Sequence, residues 1–175
     1  MNIEYRTRFR KPSLEELALF ERDRGIELPI SYKEYLRLEG GGFVQDNSGY
    51  FADGLGREWL FETVCGYDTR PHSSARYDSI YNRGIRNLRL ETARPFVRFA
   101  YEPNGDPYVM DLRPQGGGRI WLVAHDTPPN DPPLLPVEDW WEDYELLEAR
   151  LFHPVAPSFE AFLAMHAPMP EELRI

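Results

Sequence analysis

The 175-residue chain has one cysteine, Cys65. One thiol can form neither an intramolecular disulfide nor, by itself, a thiolate metal site. No helix start or basic cluster lies beside it to activate it, so the expectation is a buried, inert thiol. Long apolar runs are missing as well. No segment reaches bilayer-spanning length, and the N-terminal "MNIEYRTRFRKPSLEE" has no uninterrupted apolar segment of the secretory kind. Those absences predict a cytoplasmic protein with no membrane partner.

Signatures of catalysis are equally scarce. The glycine triplets at 40–42 and 116–118 lack the lysine, the serine or threonine and the following helix of a phosphate cradle, so they read as turns. No serine sits in a nucleophile elbow. The four histidines at 72, 125, 153 and 166 show no paired ligand spacing, which predicts no metal and no cofactor.

Basic residues are few in the second part of the chain. Residues 1–100 hold 16 basic and 15 acidic groups, net +1, whereas residues 101–175 hold 4 and 14, net −10, so all the excess acidity lies in the latter. Such a distribution repels phosphate backbones and argues against nucleic acid as a ligand, while it admits a basic protein partner.

What is present is enough for one domain. With 42% hydrophobic and 14% aromatic residues, the chain can build a single core over residues 1–175. Ser13-Leu14-Glu15-Glu16 has the capping-box pattern, with Leu14, Leu17, Ala18 and Phe20 as the apolar side of a helix that Gly25 ends. A second box at Ser31-Tyr32-Lys33-Glu34 opens a helix that turns Tyr32, Tyr35 and Leu36 inward and stops at Gly40–Gly42. "EWLFETV" reads as a strand, and residues 71–90 as a modest helix around Tyr77, Ile80 and Tyr81.

The clearest sheet signal is "RPFVRFAYEPNGDPYVMDL". Val97, Phe99 and Tyr101 alternate with Arg98, Ala100 and Glu102, Asn104-Gly105 supplies a tight turn, and Tyr108, Met110 and Leu112 return. "RIWLVAH" is apolar on both alternating sets, as a central strand is. Five prolines in "TPPNDPPLLP" exclude regular structure there. A last helix opens at Ser158 and carries Phe159, Phe162, Leu163 and His166.

Two places invite a functional reading. His125-Asp126 pairs an imidazole with a carboxylate, but neighbours on a strand point to opposite faces, which favours a structural turn over acid–base catalysis. The stretch "PVEDWWEDYELLEARLF" is the other. Read as a helix over 137–152, it puts Trp140, Tyr144, Leu147 and Leu151 in one core-facing stripe. Glu138, Glu142 and Glu145 then gather opposite, with Trp141 on the flank beside Glu148. That face is either ordinary solvated surface or a site where carboxylates imitate nucleic-acid phosphates and Trp141 anchors a basic partner.

In order along the chain, "LALFERDRGIELPISYKEYLRLEGGGFV", "RPFVRFAYEPNGDPYVMDL", "GRIWLVAHD" and "APSFEAFLAMH" resemble the SUKH superfamily, which includes a fungal cell-wall synthesis regulator and many bacterial immunity proteins. The resemblance rests on Leu28-Pro29 with Tyr32 and Tyr35, Gly41-Gly42, Gly105-Asp106, Asp111-Leu112, His125-Asp126, and Ser158-Phe159 with Phe162-Leu163. It implies an α+β fold in which a curved, mostly antiparallel sheet packs with helices in a single domain, here with a proline-rich and acidic insert at about 127–156. It also implies no enzymatic activity and, in a bacterial member, binding and neutralisation of a cognate toxin, often a nuclease. A monomer or weak dimer binding a basic toxin domain is the expected assembly; a regulatory scaffold with several endogenous partners is the rival.

Overall fold

The computed structural model describes residues 3–45, 49–52, 58–67, 80, 95–123, 152–167 and 170–171. In chain order they form β1 (Tyr5–Arg8), α1 (Leu14–Arg24), α2 (Ile30–Glu39), β2 (Gly42–Val44), β3 (Tyr50–Ala52), β4 (Glu58–Leu60), β5 (Thr63–Val64), β6 (Phe96–Tyr101), β7 (Pro107–Asp111), β8 (Arg119–Val123), β9 (Phe152–Ala156) and α3 (Phe159–Ala164). Seven strands make one sheet in the order β1-β2-β5-β6-β7-β8-β9, with β3 and β4 as a separate pair. Every pairing is antiparallel. The fold is therefore the expected α+β arrangement of an antiparallel sheet with helices.

α1 begins as its sequence predicts. The Ser13 hydroxyl accepts from the Glu16 N–H at 3.2 Å, the Glu16 carboxylate accepts from the Ser13 N–H at 2.8 Å, and Gly25 closes the helix at φ 66°. Its buried side is Leu17, Phe20 and Arg24, whereas Leu14 and Ala18 are exposed. The buried guanidinium of Arg24 donates to the Phe96 carbonyl at 2.8 Å, which ties the helix end to β6.

α2 starts one residue before the predicted cap. Pro29 is its N-cap, with no side-chain cap bond, and the Tyr32 and Lys33 N–H groups both bond the Pro29 carbonyl. The fixed φ of proline presets a helix start, so the Ser31 box is not used. Tyr32, Tyr35 and Leu36 do face inward.

"EWLFETV" is two strands, not one. Its first part, β4, pairs with β3, and after Phe61 the chain crosses to pair β5 with β2 and β6. In the β6–β7 hairpin the register shifts between Arg98 and Ala100. The bulge at Phe99 breaks the predicted alternation: Val97, Phe99 and Ala100 all join the core, while the Arg98 guanidinium lies 5.2 Å from the centre of the Tyr101 ring. The turn is longer than two residues. Gly105 N–H bonds Glu102 O and Glu102 N–H bonds Asp106 O, both at 2.9 Å, and Gly105 takes φ 93°. Pro103 presets the start of such a turn, and glycine accepts the positive φ that follows it.

β8 is the interior strand its sequence predicts, with Ile120, Trp121, Leu122 and Val123 all buried. Phe152, expected at the end of the acidic helix, instead opens β9 and pairs with Val123, so the last five residues of the supposed insert belong to the sheet. The rest of that helix, the helix expected at 71–90 apart from buried Ile80, and His125-Asp126 lie outside the described residues.

The core sits between the helices and one face of the sheet and is largely aromatic. Phe159 meets Tyr32 at 4.8 Å and Tyr35 at 5.4 Å, Phe162 stacks on Phe51 at 4.6 Å, and Phe99 packs edge-on to both Phe159 and Phe162. α3 is capped by Ser158, whose hydroxyl accepts from the Ala161 N–H at 3.2 Å. It ends at Ala164, so His166 lies beyond it in an isolated bridge to Phe51.

Candidate functional site

A groove of about 710 Å³ lies where α2 overhangs β1. "IEYRTRF" carries the signal for β1, because Ile3, Tyr5, Thr7 and Phe9 alternate with Glu4, Arg6 and Arg8. The register shift between Tyr5 and Thr7 then turns Tyr5 and Arg8 toward α2. Across the groove the Tyr5 hydroxyl hydrogen-bonds the Tyr35 hydroxyl, and Arg8 pairs with Glu39.

Each of these groups is held in one protonation state near neutrality. Burial raises the Tyr5 phenol to about 12, partly countered by its bond to Tyr35, and burial raises Tyr35 well above its usual range. Both phenols stay protonated near neutrality and serve as neutral hydrogen-bonding struts. The hydrogen bond to Glu39 raises the already basic Arg8 guanidinium further, so its charge is permanent. Toward solvent, Ile30 and Leu38 are 71% and 66% exposed, with Glu34 exposed between them at four-residue spacing. Sequence periodicity alone places such residues on the outside of a helix; their place beside a sheet edge requires the tertiary fold.

The opposite face of the sheet is also rich in rings and cations. Phe152 lies between Phe96 at 5.4 Å and Trp121 at 6.1 Å. Arg113 covers Phe96 at 4.9 Å and Arg119 covers Trp121 at 5.4 Å. Arg113 is also held by Asp111, with contacts of 2.7 and 2.9 Å. These are packing and charge-satisfying arrangements, and none sets a base against a nucleophile.

Cys65 is fully buried. Among the described residues no three His, Cys, Asp or Glu side chains gather in a metal-binding group, and no helix is long and apolar enough to cross a membrane. The partner-binding residues read from sequence, Glu138, Trp141, Glu142, Glu145 and Glu148, lie outside the described residues.

A comparison with protein families matches residues 11–165 to the SMI1 / KNR4 family (SUKH-1). Comparisons with curated proteins and with solved structures found no match. The match runs from just before α1 through α3 and takes in every strand except β1, together with the aromatic core that joins the sheet to the helices. The chain therefore belongs to the SMI1 / KNR4 (SUKH-1) family.

Proposed function

We propose that this chain is a non-enzymatic immunity protein that binds a cognate toxin domain one-to-one and blocks it. The observation that carries the reading is the family match over residues 11–165, joined to a charge distribution that places all the excess acidity in residues 101–175. The SUKH superfamily includes bacterial immunity proteins, and a nuclease toxin has a basic groove shaped for phosphates. Carboxylates at Glu138, Glu142, Glu145 and Glu148 imitate those phosphates, and Trp141 supplies an aromatic anchor. Complementary charge accelerates encounter, and a desolvated ring slows dissociation. The function needs no cofactor.

The test is a search for a toxin gene adjacent to this one, followed by co-expression with the toxin domain it encodes. Full protection of the cell and a one-to-one complex on purification are expected. A purified cognate toxin that stays fully active in excess immunity protein refutes the reading. Recovery of several unrelated endogenous proteins, with no toxin among them, favours a regulatory scaffold.

A further inference from the structure

β1 is an edge of the seven-stranded sheet, and among the described residues it pairs with β2 alone. The Phe9 N–H bonds inward to the Gly41 carbonyl at 3.0 Å, so the alternation of an antiparallel edge turns the neighbouring Arg8 N–H outward. Charged side chains ordinarily guard such an edge against pairing. Here both arginines of β1 are engaged within the chain, Arg6 lying 3.5 Å from Glu62 and Arg8 pairing with Glu39.

Among the described residues that line the groove, Glu39 pairs with Arg8, whereas Glu34 is an exposed carboxylate that makes no ion pair with them. Leu38, one turn beyond Glu34, adds an exposed apolar surface on the same helical row. Among the described residues an unpaired strand edge, the Glu34 carboxylate and an apolar step thus lie side by side.

We propose that β1 and α2 form a docking site for an extended, basic segment of a protein partner, which adds to β1 as a further strand. A lysine or arginine of that segment faces Glu34, and an apolar side chain covers Leu38. Main-chain bonds to a four-residue strand of about 13 Å give limited affinity, so the groove's side chains decide which segments bind. Only the identification of the partner as a toxin rests on the immunity reading; the docking chemistry does not.

The probe is a capped peptide of alternating valine and lysine, titrated into the isotope-labelled full chain and followed by amide NMR, with a valine–glutamate peptide as its counterpart. The lysine peptide is expected to shift amides of residues 3–9 and 30–39 and to slow hydrogen exchange at Arg8, while the glutamate peptide does neither. Glu34→Lys should weaken the lysine peptide about tenfold or more. Arg8→Pro, which removes the outward N–H, should abolish binding that Arg8→Ala retains. If Arg8→Pro proves unfolded, the exposed Glu34→Lys variant carries the test.

Equal binding of the two peptides, or shifts confined to other parts of the chain, overturns the proposal. A chain that binds neither peptide at β1 yet neutralises its toxin overturns the proposal and leaves the immunity reading standing. Lysine-peptide binding at β1 by a chain that neutralises no toxin does the reverse.

Discussion

Tyr32 of α2 and Phe159 of α3 pack edge to face with ring centres 4.8 Å apart, and Phe99 of β6 lies against both, at 6.1 and 5.7 Å. Three elements separated along the chain are joined at this point. Phe159 is 1% exposed, so Phe159→Ala removes a ring from a site with little room to collapse. The expected loss is about 3–5 kcal/mol of stability, read as a lower urea midpoint at unchanged slope.

Gly41 sets how closely the end of α2 approaches β5. It has φ 80°, and a Cβ there would stand 2.6 Å from the Val64 carbonyl oxygen and 2.8 Å from that of Cys65. Gly41→Ala combines left-handed strain with a backbone clash and should cost about 2 kcal/mol or more, whereas Gly25→Ala, also left-handed but in open space, should cost only the strain, about 1–2 kcal/mol. Thermal unfolding of the two variants side by side checks the difference.

The phenol pair across the groove predicts a pH dependence. Burial raises the Tyr5 phenol from 10 to about 12 in the fold, so the unfolded chain gives up that proton first as pH rises. The stabilisation is complete below pH 10 and is lost as pH rises toward about 12. Urea unfolding at intervals across that range should show wild type losing more stability than Tyr5→Phe, and ultraviolet phenolate absorbance should appear later in folded wild type than in the unfolded chain.

The acidic stretch gives the functional counterpart. Trp141→Ala with Glu142→Lys should leave the melting temperature within a few degrees of wild type and weaken toxin binding about tenfold or more, because both residues lie off the predicted core stripe. A titration of toxin against each protein measures this. Unchanged affinity would return that face to the solvent.

The sequence by itself determined the local elements wherever one chemical signal dominated. Ser13 with Glu16 and Ser158 are caps because their side chains satisfy N–H groups within the same turn, and Gly25 ends α1 because an adjacent residue must take positive φ. The two-sided apolar pattern of β8 follows in the same way from burial on both faces. Net charge and its placement, and the order of segments that resembles the SUKH superfamily, were likewise legible in the residues alone.

Tertiary structure decided what depends on a distant partner. Pro29 displaced the Ser31 capping box, the Phe99 bulge moved Ala100 into the core, and "EWLFETV" split between two sheets because β3, β2 and β6 offered its segments different edges. Phe152 left the helical pattern that its acidic neighbours predict and paired with Val123 of β8. The groove between β1 and α2 likewise joins Tyr5 to Tyr35 and Arg8 to Glu39, each about thirty residues apart. Hydrophobic period and capping act within a few residues, whereas strand register and the meeting of a helix with a sheet edge are settled by packing across the whole chain.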